Sequence, residues 1–392
     1  MEKEDFLLEY IHGQLIANEA VGLKLWLTQI SKYRDAWQFE QCQRLIRYIK
    51  EEKLSPLALG LVKNDEGVTY AQQEHWNAAM HCYQHGLSIF DQENNQVGRM
   101  TVLPNLGSAY YHLGIWMEAE TCFQQCLEIA RKRGHRHTES VVLNNLGMLY
   151  KDQGRWSDAL QCLQTDLLLC QENNDVQGAA QTFVNLGNIY QHLGDFEQAT
   201  GSLKKGLAYF DSHGDQHGLA NALNDLGIVY WQQQNLEQAE KHFEESLRIK
   251  EALHDLTGIA HTLSNLGAVY RHLQKVNQAQ SCYEQALAIC NDVGDLNGEA
   301  GALNNLGLIY YDTGENMQAK QSYDAALAIQ QQTGNRDGEA QVLFNLGLLF
   351  QRQGQTEQAQ QYFGQSETIF RQIGDEENAN IVRRTTERKQ TG

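Results

Sequence analysis

The stretch GALNNLGLIYYDTGENMQAKQSYDAALAIQ, residues 301–330, decides the fold, because its pattern returns every 40 residues along the chain. The marker is Asn-Leu-Gly, with an aromatic residue three positions after the glycine and an alanine twelve positions after it. The eight copies, of which the first is weaker, carry the glycines Gly67, Gly107, Gly147, Gly187, Gly227, Gly267, Gly307 and Gly347. A period kept without insertion or deletion predicts a solenoid of repeated supersecondary units.

Each copy predicts two antiparallel helices joined by a tight turn. In the copy that follows Gly294, this glycine ends one helix in the left-handed conformation, and Asp295 accepts the first free N–H groups of the next helix. Apolar residues at helical spacing then predict a first helix, a turn and a second helix. We expect the small residues Gly307 and Ala319 to let the two backbones approach, and Tyr310 to fill the space toward the next repeat.

Glycine, aromatic residue and alanine at these offsets resemble the tetratricopeptide repeat (TPR) in an extended 40-residue form. This form is similar to the arrays of Pins-type polarity scaffolds, kinesin light chains and the sensors of bacterial signal-transducing ATPases. The resemblance covers eight repeats at residues 57–376, and it implies an all-α superhelical solenoid of antiparallel helix pairs.

The two ends of the chain depart from the repeat pattern. Residues 1–56 contain two amphipathic stretches, Phe6–Ile30 and Trp37–Glu51, which predict an N-terminal helical cap or degenerate repeat. Residues 377–392 are polar and predict a C-terminal capping helix with a tail. Caps of this kind cover the apolar faces of the terminal repeats.

The charge balance argues against nucleic acid as a partner. The chain has 31 Lys and Arg residues against 49 Asp and Glu residues, a net charge of −18, which repels polyanions. The one visible basic run, Arg383-Arg384 with Arg388-Lys389, is interpreted as a solvated helix end. No apolar run is long enough to span a bilayer, and residues 1–4 do not begin a signal peptide, so we also expect no membrane partner.

The eight cysteines follow the repeat, which indicates packing and not a disulfide framework. One repeat position is shared by Cys82, Cys122, Cys162 and Cys282, and another by Cys170 and Cys290. We expect these residues to be small buried members of the core between helices. Such cysteines predict a reducing, cytoplasmic compartment.

No catalytic or cofactor motif stands out. Phosphate loops with Gly-Lys-Ser or Gly-Lys-Thr, His-Glu-x-x-His, paired Cys-x-x-Cys and EF-hand spacings do not occur. Cys122 and Cys126 lie one helical turn apart but face no second pair, and His135 and His137 fall at an exposed turn. We therefore expect no enzymatic activity, no cofactor and no metal.

The surface of the first helices is the candidate binding site, because the resemblance implies that it lines a concave groove. We expect groove-facing side chains three and two positions before the repeat glycine, and one, four and five positions after it. The column two before the glycine is Asn105, Asn145, Asn185, Asp225, Asn265, Asn305 and Asn345. Amides suit the main chain of an extended peptide, although asparagine also has structural reasons to occupy this position. The adjacent columns add Asn224, Asn304 and Asn188.

Two further columns follow the glycine. The column four after it is Tyr111, Lys151, Gln191, Trp231, Arg271, Tyr311 and Gln351. Aromatic and arginine side chains are typical of binding hot spots, and packing under a neighbouring helix is the alternative. The column five after the glycine contains His112, His192 and His272 in alternation with Asp152, Gln232 and Asp312. These residues form either inter-repeat ion pairs that respond to pH or a solvated polar face.

These observations favour a non-catalytic scaffold or adaptor that binds a protein or peptide segment in the groove. The alternative is a ligand-sensing regulatory array of a larger signal-transducing ATPase-type system, and an RNA-binding helical repeat is disfavoured by the charge. The sequence identifies neither the partner nor the oligomeric state. Pro104 lies inside a first helix and predicts a kink or a delayed helix start near residues 100–104.

Overall fold

The computed structural model describes residues 2–50 and 54–387, and every regular element in these ranges is an α-helix. The chain divides into two compact units, Met1–Leu193 and Gly194–Gly392. Residues 51–53, at the end of the second amphipathic stretch, and residues 388–392, which hold half of the basic run, lie outside the described part.

Unit 1 contains an N-terminal group of helices followed by helix pairs. Its elements are α1 (Glu2–Ala17), α2 (Glu19–Asp35), α3 (Phe39–Lys50), α4 (Pro56–Ala71), α5 (Trp76–Gln92), α6 (Gln96–His112), α7 (Trp116–Arg133), α8 (Arg136–Asp152), α9 (Trp156–Glu172) and α10 (Val176–His192). The first helices of repeats 1, 2, 3 and 4 are α4, α6, α8 and α10, respectively. Consecutive helices of the unit pack against each other.

Unit 2 continues the same alternation. Its elements are α11 (Phe196–His213), α12 (Gln216–Gln232), α13 (Leu236–Leu253), α14 (Leu256–His272), α15 (Val276–Val293), α16 (Leu296–Thr313), α17 (Asn316–Thr333), α18 (Arg336–Arg352), α19 (Thr356–Gln372) and α20 (Glu376–Glu387). The first helices of repeats 5 to 8 are α12, α14, α16 and α18. Consecutive helices pack against each other here too, so the predicted helix pairs form a solenoid within this unit, as they do within unit 1.

The predicted helix boundaries have the expected local chemistry. Gly294 adopts φ +76°, and the Asp295 carboxylate accepts the N–H of Gly298 at 2.9 Å. The left-handed glycine satisfies the carbonyls at the end of one helix, and the aspartate satisfies an N–H at the start of the next. The same arrangement recurs at Gly214 and Asp215, which explains why the repeat keeps its length.

The repeat glycine makes room for an aromatic ring of its partner helix. A Cβ placed on Gly307 would lie 2.4 Å from Cε1 of Tyr323 in α17, so only glycine fits there. The aromatic three positions after the repeat glycine packs on both sides. The hydroxyl of Tyr270 bonds to Glu244 of the preceding repeat at 2.9 Å, and Tyr310 packs against one apolar cluster that contains the preceding repeat and another that contains the next.

The N-terminal helices differ from the two stretches expected there. Asn18 interrupts Phe6–Ile30, because its side chain accepts the N–H of Val21 at 3.3 Å and begins α2. Helices α1 to α3 share one apolar cluster with Ala58 and Val62 of α4. They also supply Arg34, whose guanidinium lies 2.7 Å from the buried Asp65 carboxylate.

The delayed helix start expected near Pro104 was wrong, whereas the expected kink stays a prediction. Helix α6 begins at Gln96 and runs without interruption to His112, with Pro104 inside it. Proline leaves the carbonyl of Met100 without its helical N–H partner. The thiol of Cys126 in α7 lies 3.5 Å from that oxygen and donates to it, which replaces the missing hydrogen bond. Ser246 and Ser366 occupy the same repeat position and donate to the carbonyls of Ala220 and Ala340.

All eight cysteines are free thiols. Six are buried as expected, whereas Cys82 and Cys162 are half-buried. Burial raises the pKa of the Cys282 thiol to about 11, so this side chain stays protonated at neutral pH. Among the described helices, none has both the length and the apolar character that crossing a membrane requires.

Candidate binding site on the first helices

The candidate site is the surface that the first helices of each unit present beside one another. We call it the first-helix face and define it by seven columns, at positions −10, −6, −3, −2, +1, +4 and +5 from the repeat glycine. In repeats 2 to 8 its side chains at −6 are mostly exposed, and all those at +5 are exposed. The predicted residues at −2 and +4 are half-buried except Asn185, which is buried, and Asn188, Asn224 and Asn304 are half-buried.

The first-helix face is almost neutral, in contrast to the net charge of −18 for the chain. In these columns of repeats 2 to 8, the charged residues are Lys151, Arg271, Arg352, Asp152, Asp225, Asp312 and Asp337. Most other members are asparagine, glutamine, histidine, serine and threonine. The acidic charge therefore lies elsewhere on the protein, and this face offers mainly amide donors and acceptors.

Four asparagines at −2 are bonded to an asparagine of the preceding repeat. In unit 1, Nδ2 of Asn105 donates to Oδ1 of Asn64 at 2.9 Å, and Asn185 donates to Asn144 at 3.4 Å. In unit 2, Asn265 donates to Asn224 at 3.2 Å, and Asn345 donates to Asn304 at 2.8 Å. These amide pairs link first helices of successive repeats.

Asn145 and Asn305 form no such pair. Their carboxamides make no hydrogen bond to another described residue. The preceding repeats offer Pro104, which has no acceptor in its side chain, and Ser264, whose hydroxyl donates to the carbonyl of Ala260 at 3.0 Å. Both amides are half-buried on the first-helix face and keep their donors and acceptor unused.

The two acidic residues at −2 each have a cation nearby. Asp65, in the first repeat, is the partner of Arg34. Burial lowers the pKa of Lys250, and the charges of Asp255 and Asp225 oppose that shift; the Lys250 ammonium donates to Thr262 Oγ1 at 3.1 Å. An acid thus replaces asparagine where a buried positive charge needs compensation.

We call the contact between the first helices of successive repeats a junction. At the four junctions that have an amide pair, the imidazole or guanidinium at +5 also lies against an aromatic ring of the preceding repeat. Trp76 stacks on His112 with ring centroids 3.8 Å apart, and Trp156 stacks on His192 at 4.7 Å. In unit 2 the pairs are Trp231 with His272, edge to face at 6.0 Å, and the Arg352 guanidinium over Tyr311 at 3.9 Å. We call these the closed junctions: α4/α6, α8/α10, α12/α14 and α16/α18.

The two remaining junctions inside the units have aspartate at +5. At α6/α8 the Tyr111 hydroxyl donates to Asp152, and at α14/α16 the Arg271 Nε donates to Asp312 at 2.6 Å. We call these the open junctions. A cleft of about 600 Å³ lies at α14/α16 and is lined by Arg271, His272, Gln274, Val276 and Asp312.

Sequence reasoning noticed the His/Asp alternation but missed its period. At −3, asparagine occurs at Asn64, Asn144, Asn224 and Asn304, which are 80 residues apart; proline, valine and serine lie between them, and phenylalanine follows the last. At +5 the basic or imidazole residues His112, His192, His272 and Arg352 follow the same 80-residue spacing. The repeats are therefore of two kinds, and comparison of columns at twice the period would have revealed it.

Two side chains at +5, His112 and His192, have a lowered pKa. Burial lowers the pKa of His112, with Glu74 opposing the shift, and burial together with the Lys151 charge lowers the pKa of His192. Neutral imidazole rings stack on Trp76 and Trp156 without the cost of desolvating a charge. Burial also raises the pKa of Tyr111, and the bond to Asp152 adds to the shift.

One buried carboxylate, Asp166, has all of its hydrogen-bond partners inside the helix pairs. Asp166 in α9 accepts hydrogen bonds from Ser140, from Asn144 at 3.1 Å and from Thr182 at 2.7 Å. It joins three helices with its own side-chain partners. In the part of the chain that the structure describes, no group of His, Cys, Asp and Glu side chains is arranged to hold a metal ion.

Comparison with known proteins extends the resemblance. A family model described as tetratricopeptide repeat matches residues 98–165, 178–252, 258–316 and 298–372, which together form more than half of the chain. No curated protein sequence matches this chain.

Several solved structures share the fold. Aspartyl phosphate phosphatase F from Bacillus subtilis is 12% identical, over 88% of this chain and 93% of its own, with a TM-score of 0.61. A Rap protein complexed with Competence and Sporulation Factor is 15% identical, over 85% of this chain and 99% of its own, with a TM-score of 0.59. A STAND signal-transduction ATPase with a tetratricopeptide repeat sensor, from Pyrococcus horikoshii, is 13% identical, over 87% of this chain and 55% of its own, with a TM-score of 0.62.

Proposed function

Because this chain belongs to the tetratricopeptide repeat family, we propose that it is a non-catalytic scaffold whose first-helix face binds an extended segment of another protein. The face is formed in each unit by side chains of rigid helices, which suits a binding surface better than mobile loops do.

The near-neutral, amide-rich character of the first-helix face carries the proposal. A chain of net charge −18 would show acidic residues on a face that served only solubility, yet this face has three cations and four carboxylates in repeats 2 to 8. Asparagine and glutamine side chains both donate and accept, so they match the alternating N–H and C=O groups of an extended main chain. Such a face binds without requiring charge on the partner.

The fold comparisons support this function and its alternative. A Rap protein of similar fold was solved with Competence and Sporulation Factor bound, so the fold accommodates a partner molecule. The sensor of the STAND ATPase has the same fold, which fits the alternative of a ligand-sensing array. In both functions the repeats bind a partner and do not catalyse a reaction.

The test uses the full chain and a defined probe. A library of random peptides of about twelve residues, long enough to span several extended residues on the face, is displayed and selected on the protein. The dissociation constant of a selected, fluorescein-labelled peptide is then measured by anisotropy. Val141→Arg with His261→Arg places bulk on exposed positions of the face in both units. We expect this double variant to weaken binding by about tenfold or more.

The matched control places arginine on exposed positions of second helices, at Leu168→Arg with Gln285→Arg. We expect unchanged affinity for this variant, and unchanged thermal melts for both, since all four side chains are exposed. If the control variant weakened binding and the face variant did not, the second-helix side would be the binding surface. Selection of no common peptide sequence would count against the proposed function.

A further inference from the structure

The amide columns of the first-helix face are only partly available to a ligand. At each closed junction, one amide hydrogen and one amide oxygen are used in the Asn–Asn bond, and the exposed ring or cation at +5 already lies against an aromatic ring of the preceding repeat. At the open junctions, Asn145 and Asn305 keep all of their hydrogen-bonding groups. Neither amide is among the buried polar groups without a partner, so water reaches both, and a bound main chain can replace that water by using the donors and the acceptor.

Resting on the proposed function, we infer that each unit has one peptide-binding junction, the open junction, where Asn145 or Asn305 bonds the main chain of an extended segment. The closed junctions hold the first helices in register and do not contact the segment through their amides. The 80-residue period thus separates structural repeats from binding repeats.

In unit 1 the aromatic residue at the start of the second helix adds an anchor. Trp76 and Trp156 are covered by His112 and His192. Trp116 occupies the same repeat position at the open junction, where the next repeat offers Asp152, which already accepts the Tyr111 hydroxyl. Trp116 is accordingly 43% exposed, and it lies between Ile115 and Met117, which are 37% and 80% exposed. This contiguous apolar patch fits a large apolar side chain of the partner.

The spacing between the free amide and the patch sets the partner's sequence pattern. By analogy with the Trp76–His112 and Trp156–His192 contacts, Trp116 faces Asp152. Asn145 lies two turns earlier on α8, about 10 Å along the helix axis. About three residues of extended chain cover that distance. The segment therefore carries a large apolar residue about three positions from the residue whose main chain Asn145 bonds.

In unit 2 the corresponding site takes a different side chain. Val276 occupies the position of Trp116, and the cleft of about 600 Å³ beside it is lined by Arg271 and Asp312 as well as His272. A polar or ionised side chain fits this cleft, since it finds both a donor and an acceptor. The two open junctions therefore share main-chain binding by Asn145 and Asn305 but differ in the side chain that they select.

The experiment compares matched double variants in the full chain, with the labelled peptide selected on the wild-type protein. The open-junction variant is Asn145→Ala with Asn305→Ala, and the closed-junction variant is Asn185→Ala with Asn265→Ala. We expect the first to raise the dissociation constant about tenfold or more at an unchanged Tm, and the second to change it less than about twofold while lowering Tm. Trp116→Ala, with Trp76→Ala as its control, tests the anchor for peptides that contain a large apolar residue.

The outcomes separate this inference from the function on which it rests. Equal loss of affinity in the open and closed double variants, or an equal loss of Tm, would overturn the division into two kinds of junction. If the open-junction and closed-junction double variants both keep wild-type affinity while Val141→Arg with His261→Arg abolishes binding, the inference fails and the proposed function stands. If none of the variants on the first-helix face changes affinity, the proposed function fails as well. The thermal melts need no ligand and decide the structural half of the inference independently.

Discussion

At the scale of single residues, the turn between the two helices of a repeat requires the left-handed conformation. Gly114, Gly154 and Gly314 adopt it with φ between +70° and +88°. Gln234 and Gln274 adopt it as well, at φ +60° and +59°, although a Cβ strains this conformation by about 1–2 kcal/mol. Sequence analysis of such a turn detects the glycines easily and the glutamines only through the register of the repeat.

We predict that Gln234→Gly raises the free energy of unfolding by about 0.5–1 kcal/mol, because removal of the strain exceeds the entropy that glycine adds to the unfolded chain. Urea denaturation followed by circular dichroism measures the change. The neighbouring Gln233→Gly is the control, because Gln233 has an ordinary φ of −74° and gains nothing from glycine. Equal stabilisation by both substitutions would contradict the explanation by strain.

His242 predicts a pH dependence of stability. Its ring stacks on Tyr230 with centroids 5.3 Å apart, and its Nδ1 is buried without a partner. Burial lowers the pKa of His242 in the folded protein; Glu245 opposes the shift, and Lys241 and Lys204 add to it. As the pH falls below about 6.5, the unfolded chain therefore takes up the proton first, and the free energy of unfolding falls until the pH passes the folded pKa.

We expect His242→Gln to reduce this loss of stability. Urea unfolding at about pH 7.5 and about pH 5.5, on either side of the ordinary histidine pKa, measures the difference for each variant. His217→Gln, at an exposed position of α12, serves as the control and should keep the wild-type difference. A wild-type pH dependence in His242→Gln would assign the effect to other groups.

At the scale of the element, α6 shows how a proline is tolerated inside a helix. The Met100 carbonyl, which has lost its helical partner, accepts the Cys126 thiol of α7. We predict that Pro104→Ala stabilises the protein by about 1–3 kcal/mol, since alanine restores the N–H and removes the ring clash. Urea denaturation provides the measurement.

A double-mutant cycle with Cys126→Ala tests the role of the thiol. Loss of the thiol should destabilise the protein more when Pro104 is present than in the Pro104→Ala background. With Pro104 present, the Met100 carbonyl is left without any donor, whereas alanine at position 104 supplies a helical N–H to it. Additive effects of the two substitutions would show that the thiol serves packing alone.

The elements themselves were largely predictable from the sequence, because caps, glycines and apolar spacing recur in phase. The start of α6 was not predicted correctly, although the Asn95 side chain caps the helix ahead of Pro104 by accepting the N–H of Gly98 at 2.9 Å. The break at Asn18 was missed because a single amphipathic pattern ran through a residue that caps α2. In the candidate site, the columns were predictable from helical spacing, but the partners of Asn105 and Asn185 depend on the distances between repeats. The local sequence pattern predicts which face of a helix a side chain lies on. Contacts between helices decide whether its hydrogen-bonding groups already have a partner in the protein.

At the scale of the whole molecule, the N-terminal helices are proposed to cap the first repeat. They share an apolar cluster with Ala58 and Val62 of α4, and Arg34 neutralises the buried Asp65. We predict that deletion of residues 1–56 exposes this apolar surface and leaves a buried carboxylate unpaired, so that the truncated chain aggregates. Light scattering and gel filtration measure the outcome. A truncated chain that stays monodisperse with wild-type melting would show that these helices are dispensable.

The alternation of junctions predicts which internal deletions are tolerated. Removal of residues 257–336, two repeats, places α12 beside α18 and so brings Trp231 to Arg352 and Asn224 to Asn345, which are partners of the closed kind. Removal of residues 257–296, one repeat, places Trp231 opposite Asp312. We expect both products to fold as shorter helical proteins, with the higher Tm for the two-repeat deletion, as measured by differential scanning calorimetry. The reverse order of Tm would contradict the pairing.

The spacing of Asn64, Asn144, Asn224 and Asn304 also bears on the history of the gene and on its use in engineering. A coding segment that grew by copying 40-residue units one at a time would not keep two alternating kinds of repeat, whereas duplication of an 80-residue cassette preserves them automatically. A designer who lengthens this array should therefore insert cassettes of two repeats, since each insertion then adds one junction of the closed kind and one of the open kind.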